Sequence, residues 1–358
     1  MVAMKQTTTT VRLANGEVLT IRVLEPPLGD YAERINYSWR DVREPLMAGE
    51  LVDTSLDRFF VGELDGECVG SMTYATSRRQ SEVAVLGMVQ TRPDQRRKGI
   101  ATQLLRQTIA DFRALGGIAM YLCTTNPNAY ALYYKQGFRP LIGDGMRYLA
   151  PGCEDFDRTY FVHDGPAAIR PGTWGDLAPV SSLYNQPQPD WFIKDYPRRV
   201  FRDIRYEGHY RRVWLPTQER QGTALVLENR RQRVVGIAST VAVDSYVEQH
   251  AHIVDCWACP AYLGQLPELL SAVVERARGT GAEALQAYLA ESDRTKQQVF
   301  REAGFSEEAR LRDRLRDDAE PAGRQDLLVY SRTLGRRTAP ARPEPAFYGA
   351  RPAFQSRR

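Results

Sequence analysis

Four basic side chains, Arg92, Arg96, Arg97 and Lys98, run directly into Gly99-Ile100-Ala101. Their common chemistry is the holding of phosphate. The apolar run Val83 to Val89 leads in. A run with Ala101, Leu104, Leu105, Thr108, Phe112 and Leu115 at three- and four-residue spacing leads out. The basic stretch is therefore a turn from a strand into a helix, and Gly116-Gly117 is a fitting stop for that helix. Such a turn aims successive backbone N–H groups and the helix N-terminus at one point, where an anion can sit. Gly99 lets the backbone approach a bulky anion closely. A nucleotide P-loop would need a second glycine and a Ser or Thr after the lysine, and both are missing.

A second group, His250, His252, Cys256 and Cys259, has a spacing that could supply zinc ligands. The two cysteines would have to meet across a strand end, and no second Cys-x-x-Cys supports the site. Buried neutral cysteines and strand histidines are the reading adopted, with no metal.

Arg96-x-x-Gly99-x-Ala101 resembles the acyl-CoA pyrophosphate loop of the GNAT superfamily of N-acetyltransferases, Gln/Arg-x-x-Gly-x-Gly/Ala. One helix and one strand (Ile118 to Cys123) further on, Asn126-Pro127-Asn128-Ala129-Tyr130-Ala131-Leu132-Tyr133-Tyr134-Lys135-Gln136-Gly137-Phe138 resembles the second motif of that family. Two motifs in this order make a joint signal that the loop alone does not. The resemblance implies a mixed α/β (α+β) fold, with a mostly antiparallel sheet splayed between its fourth and fifth strands and flanked by helices.

It also implies acetyl-CoA as co-substrate, held by the backbones of Met88 and Val89 and by Arg96, Arg97, Lys98, Gly99, Ile100, Ala101 and Asn126. Met88 or Val89 N–H would polarise the thioester carbonyl. Tyr133 would protonate the leaving thiolate, and a phenol pKa near 10 suits a thiol leaving group of roughly 8–10. Glu82, the only acid on the fourth strand, stands as general base through a water, with the second domain or solvent as alternatives. Tyr130 and Tyr134 lie on another helix face and read as packing residues. Gly87 within the strand marks a bulge or a close backbone approach.

At 358 residues the chain is long enough for two domains. Its apolar fraction, 43%, is ordinary for a globular protein. No apolar stretch is long enough to cross a membrane, and the N-terminus lacks the apolar core of a signal peptide. A cytoplasmic location is expected. Five cysteines without a secretion signal fit reduced thiols. The net charge of +4 is concentrated: residues from Gly335 onward carry six arginines and one glutamate, so the body is near −1. A nearly neutral body does not suggest nucleic-acid binding.

In chain order, residues 1–10 read as frayed and Val18 to Leu24 as the first strand. A helix follows from Asp30 to about Arg43, and Leu51 to Leu56 reads as a second short helix. In the family this pair walls the acceptor, which makes Tyr37, Trp39, Arg40, Asp41, Arg43 and Glu44 candidates for acceptor contact. Phe59 to Leu64 and Cys68 to Thr76 form a hairpin through Asp65-Gly66. The pattern then restarts. Ile169 to Gly172, Thr223 to Leu227, Val234 to Val243, His250 to Ala258, Ala284 to Leu289 and Leu327 to Leu334 read as strands. Gly175 to Tyr184, Leu266 to Ala277 and Arg294 to Ala303 read as helices.

The layout is a first domain over 1–150 and a polar linker over 151–167. A second, degenerate copy follows over 168–334 and a disordered Arg/Pro tail over 335–358. The second copy has no basic turn, and Phe300 stands where Tyr133 stood, so no acyl-CoA is expected there. The expected activity is transfer of an acetyl group to a primary amine of a small molecule such as an antibiotic, an amino sugar or a biosynthetic intermediate. A protein lysine or N-terminal amine is the second acceptor class. A non-catalytic acyl-CoA sensor or scaffold is the contrasting reading. Partners are the amine alone, with no nucleic acid and no membrane. Oligomeric state is open, a homodimer included.

Overall fold

The computed structural model describes residues 6–141, 143–186, 210–243, 250–316 and 323–335. The first sheet contains β1 (Gln6–Arg12), β2 (Val18–Leu24), β3 (Ser55–Leu64), β4 (Glu67–Ser77), β5 (Val83–Thr91), β6 (Ala119–Cys123), β7 (Arg139–Pro140) and β8 (Gly145–Leu149). Their order in space is β1-β2-β3-β4-β5-β6-β8-β7. One face carries α1 (Tyr31–Arg34) and α2 (Arg40–Ala48). The other carries α3 (Ile100–Ala114) and α4 (Pro127–Lys135).

Three local expectations are corrected. Residues 6–12 are not frayed: they pair with β2 over all seven positions as an edge strand, so the strand expected as fourth is β5. Threonines favour an extended, half-exposed backbone. The first helix ends at Arg34, a second runs from Arg40 through Pro45 to Ala48, and Gly49 closes it at φ 85°. Residues 51–54 are a turn and Ser55 already begins β3, so Leu51 to Leu56 is no helix. The Asp65-Gly66 hairpin is present with both residues at positive φ, 49° and 80°, as a tight two-residue turn requires. On α3 the buried stripe is Ile100, Leu104, Leu105, Thr108 and Phe112, while Leu115 lies beyond the helix end and is exposed.

The second sheet contains β9 (Ala168–Pro171), β10 (Gly222–Glu228), β11 (Val234–Ala242), β12 (Ala251–Ala258), β13 (Ala284–Ala290), β14 (Ser306–Arg316) and β15 (Arg324–Thr333). Its order is β14-β15-β13-β12-β11-β10-β9. Read from the other edge, this is the order of β2 to β8 in the first sheet. Each sheet has a single parallel pair, β5 with β6 and β12 with β13. The internal repeat is thus a repeat of topology. Strand β14 was not foreseen, because its charged sequence SEEARLRDRLR hides a strand.

Helix α5 (Phe156–Thr159) lies in the expected linker. Phe156, Tyr160 and Phe161 there are buried and stack on one another, so this segment is a wedge of core between the sheets. Helices α6 (Leu177–Tyr184), α7 (Tyr210–Gln218), α8 (Leu266–Ala277) and α9 (Arg294–Glu302) complete the fold. Helix α7 was not foreseen. All eight residues of α6 are buried, because it lies between the two sheets, against β4, β5 and β6 on one side and β11 on the other.

One apolar core therefore runs from Leu24, Phe59 and Val85 of the first sheet to Leu225, Val254 and Phe300 of the second. The approach is close: a Cβ on Gly175 would fall 2.0 Å from the carbonyl oxygen of Thr54. Charged pairs bridge the same interface. Glu228 takes Arg79 at 2.6 Å and Arg170 at 2.7 Å, and Glu82 takes both sides of Arg233 at 2.8 and 3.0 Å. Burial raises the Glu228 carboxyl, but the two guanidiniums outweigh it and hold the group below the ordinary range.

Candidate active site

The parallel pairing of β5 with β6 stops after three residue pairs, at Val85 and Tyr121. Beyond them the strands part, and the facing edge of β5 has no strand partner. On its other edge β5 pairs with β4 through a bulge: Gly87 lies opposite Thr73 and Gln90 opposite Ser71, so Met88 and Val89 together face Met72. Met88 takes φ 54°, an uncommon left-handed value for a side-chain-bearing residue. Its sulfur accepts from the backbone N–H and hydroxyl of Ser38, at 3.4 and 3.1 Å. Gly87 thus neighbours the bulge, but Met88 carries the left-handed turn. A bulge twists the strand away from its line, which opens the cleft.

After β5 the chain makes a 3-10 turn over Pro93–Gln95. Arg97 and Gly99 then take φ 67° and 88° before α3 begins. Open space surrounds the position a Cβ on Gly99 would occupy. The first backbone N–H of α3 to find an acceptor within the helix is that of Gln103, on Gly99 O at 3.1 Å. The N–H groups from Arg97 to Thr102 have no backbone acceptor among the described residues, as the first turn of a helix leaves them. Arg96 and Arg97 are exposed around this cradle. Ile100 contributes backbone only, since its side chain is buried against β3 and β4. Lys98 turns away to Glu17 in the first hairpin, at 2.8 Å.

A cavity of about 1130 Å³ runs along this cleft. Val89, Arg96, Arg97, Gly99, Ile100, Ala101 and Asn126 are among the residues lining it. Met88, Lys98, Tyr133 and Glu82 are not. Asn126 caps α4: its Oδ1 accepts from the backbone N–H of Asn128 and Ala129 at 2.9 and 3.3 Å. This also explains the start of α4, with Pro127 at its first position.

Tyr133 stands behind Ala129 and Leu132 of the wall, 5% exposed, its ring 5.7 Å from that of Phe138. Burial pushes its phenol up to about 12, so it keeps its proton at neutral pH. Tyr130 and Tyr134 are exposed and stack on each other at 6.2 Å instead of packing inward.

Glu82 is not brought to the cleft. It precedes β5, bound by Arg233 of the second domain, and lies six positions before Met88. At about 3.3 Å per residue that is roughly 20 Å along the strand. Residues missed in the sequence line the cavity on the α1 face, Arg34, Asn36, Cys68, Ser71 and Gln90, and Arg92 of the basic turn lines it with them. Gln90 was legible only as the residue alternating with Val89. The others come together through the β4–β5 register and the ending of α1. Of the expected acceptor wall, Trp39 packs edge-on to Trp174 at 6.3 Å and Asp41 pairs with Arg211, so both meet the second domain. Tyr37 is buried against Phe59.

The second copy is built differently at the same places. Strand β12 pairs with β11 without a bulge. The 3-10 turn Pro260–Gln265 runs straight into α8, with no left-handed residue between. Tyr262 is buried there, its hydroxyl donating to Asp164 at 2.8 Å. Where α4 has Ala129 against the cleft, α9 has Lys296, fully buried and ion-paired with Asp255 of β12. Phe300 packs on Phe305 at 5.0 Å as Tyr133 does on Phe138. His252, Cys256 and Cys259 are buried, and burial pushes His252 down to about 4 and Cys259 up to about 12. Among the described residues no three metal-ligating side chains converge, and no helix is long and apolar enough to cross a membrane.

A sequence model of the acetyltransferase (GNAT) family matches residues 24–138. Three solved structures illustrate the likeness of fold. The putative acetyltransferase yncA from Salmonella typhimurium, with its cofactor acetyl-CoA, is 17% identical over 49% of this chain and 99% of its own, with a TM-score of 0.42. Ribosomal-protein-alanine N-acetyltransferase from Brucella melitensis is 22% identical over 47% and 99%, with a TM-score of 0.39. A GNAT superfamily phosphinothricin acetyltransferase from Sinorhizobium meliloti, in complex with AcCoA, is 16% identical over 51% and 97%, with a TM-score of 0.40. No curated protein matches the chain.

Proposed function

Since residues 24–138 form an acetyltransferase domain of the GNAT family, we propose that the first domain transfers an acetyl group from acetyl-CoA to the primary amine of a small molecule. The observation that carries the reading is the bulged, unpaired end of β5 running into a cradle of free N–H groups at the start of α3. Acetyl-CoA supplies the activated acetyl thioester and an anionic pyrophosphate. The residues present fit it. The N–H groups from Arg97 to Thr102, with Arg96 and Arg97, suit the pyrophosphate. The free edge at Met88 and Val89 suits the amides of a pantetheine arm. Asn126 lines the same cleft while its side-chain oxygen caps α4.

The chain's own contribution to the chemistry is positional and electrostatic. An N–H at the bulge polarises the carbonyl under attack. As the C–N bond forms and the C–S bond breaks, the Tyr133 hydroxyl gives its proton to the departing sulfur. A phenol at about 12 is a weak acid for a thiolate of ordinary pKa. The burial that lifts the phenol also lifts a thiolate beside it, which keeps the transfer near balance. Among the described residues no carboxylate lines the cavity, and the reading sends the proton of the amine to solvent.

A small acceptor is favoured over a protein surface because α6 of the second domain lies against the α1 face of β4, β5 and β6. The domains of the reading remain 1–150 and 168–334, with the second copy as wall and support. The tail, 335–358, lies almost entirely outside the described residues. The test is calorimetric titration of acetyl-CoA with the wild type and with Tyr133→Phe. The variant should keep affinity within about twofold and lose turnover by about 10²-fold. Full turnover would remove Tyr133 from the reaction. Binding by a wild type that turns over no amine would favour an acyl-CoA sensor.

A further inference from the structure

The cavity at the end of β5 has two halves, on opposite faces of the sheet. A Cβ on Gly70 would meet Ile100 and Leu104 of α3 at 3.2 and 3.5 Å, so that residue looks toward the phosphate cradle. Its neighbour Ser71 looks toward α1. There Gln90 Nε2 donates to the carbonyl of Asn36 at 2.7 Å and to the Ser71 hydroxyl at 3.2 Å. Arg34 and Arg92 belong to the same half, each within electrostatic reach of Cys68. Among the described residues four arginines line the cavity and no aspartate or glutamate does. Arg96 and Arg97 surround the cradle, which leaves Arg34 and Arg92 for the α1 half.

The acids near these two arginines are not among the residues lining the cavity. Glu63 is 4% exposed and is shared by Arg22 at 2.7 Å, Arg34 at 3.3 Å and the Tyr31 hydroxyl at 3.0 Å. One carboxylate thus serves two guanidiniums. Arg34 spends its other terminal nitrogen on the Gly66 carbonyl at 2.7 Å, and its side chain is 38% exposed. Arg92 meets Asp94 through Nε and Nη2, in a pair exposed on both sides, and such pairs are held weakly. Glu67, at the start of β4, is exposed and tempers the field near Arg92. Anything entering this half from solvent therefore meets guanidinium groups, while the Gln90 amide is spent on Asn36 and Ser71.

We propose that the acceptor amine carries an oxyanion, a carboxylate or a phosphonate, and that Arg34 and Arg92 hold it on the α1 face of β5 while the amine reaches the bulge. This rests on the acetyl-transfer reading and narrows its substrate class. A guanidinium fork matches an oxyanion in charge and geometry. It repels a second cation, so polyamines and multiply charged amino sugars are disfavoured.

The test saturates the full chain with CoA, which fills the cradle, and then titrates inorganic phosphate by calorimetry. A second, weaker anion site is expected. It should weaken about tenfold or more in Arg34→Gln and in Arg92→Gln, with CoA affinity within about twofold of wild type. Arg34→Gln leaves Glu63 with Arg22 and Tyr31, so the fold persists. Thiol release from acetyl-CoA is then followed with amino acids and aminomethylphosphonate against amino-acid carboxamides and spermidine. The oxyanion-bearing amines should have at least tenfold higher kcat/KM. The two variants should raise KM for them and leave kcat within about threefold. CoA binding without phosphate binding overturns the proposal, as does a preference for carboxamides or spermidine, or a loss of CoA affinity in the variants. Failure of CoA itself to bind would instead overturn the acetyl-transfer reading, and this one with it.

Discussion

Replacing Glu82 by glutamine separates a structural acid from a catalytic one. Glu82 takes Arg233 through both oxygens at 2.8 and 3.0 Å, and Arg233 also donates to the carbonyl of Tyr160 at 2.8 Å and lies over its ring at 4.3 Å. The Arg233 side chain is 9% exposed and that of Glu82 31%. Breaking a fully buried pair costs about 3–5 kcal/mol. Here Glu82 is partly solvated and Arg233 keeps a carbonyl partner, so we expect about 2 kcal/mol. For cooperative units of about 150–250 residues that lowers Tm by roughly 4–8 °C. Turnover per folded molecule should stay within about twofold, because Glu82 is roughly 20 Å along the strand from the bulge. Scanning calorimetry and thiol-release kinetics on the same preparation read both quantities. A drop in kcat of about 10²-fold with unchanged Tm would refute the reasoning and return Glu82 to the role of general base.

Two more outcomes follow from buried charges. Lys296→Met removes the fully buried cation paired with Asp255 in the second domain and should cost about 3–5 kcal/mol. Lys296→Met with Asp255→Leu should recover most of that, and calorimetry should still count one acetyl-CoA per chain. A second site in the wild type would contradict the closed second cleft. Burial pushes the Asp57 carboxyl up to about 7, outweighing the Ser55 hydroxyl and nearby Arg78. The folded state then binds this proton more tightly than the unfolded chain, whose value is near 4. The group's contribution to stability is complete below about pH 4 and is lost by about pH 7, up to about 4 kcal/mol in all. Asp57→Asn should therefore gain stability relative to wild type at pH 8 and flatten the fall between pH 5 and 8. Parallel melting curves for both proteins would disprove it.

Much of the candidate site could be read from the chain because its signals are local. A basic turn ending in Gly99, followed by a 3.6-residue apolar rhythm, specifies a strand, an anion cradle and a helix without reference to the rest of the molecule. Asn126-Pro127 is a helix start in any context. A splay of the fourth and fifth strands was expected through resemblance, and the structure starts it after Val85 and Tyr121. The bulge was expected at Gly87, because glycine within a strand marks one, whereas Met88 and Val89 form it. Lys98 was expected at the cradle along with its neighbours. Its pairing with Glu17 depends on how the first hairpin folds over the loop, which no local pattern reports.

Glu82 shows the same limit more sharply. On the sequence it is the one acid on the strand, whereas in space its neighbour is Arg233, 151 positions away. Burial of α6 of the second domain against the first sheet decides that contact, just as it turns a polar linker into a wedge of Phe156, Tyr160 and Phe161. Arg34, Ser71 and Gln90 reach one cavity only through the register of β4 on β5 and the point at which α1 stops. The sequence alone determines the elements and the anion cradle, since turns, caps and periodicity act over a few residues. The tertiary structure alone decides which charges are spent in the interface and which face the cleft, because pairing over long sequence distances follows from how two cores merge.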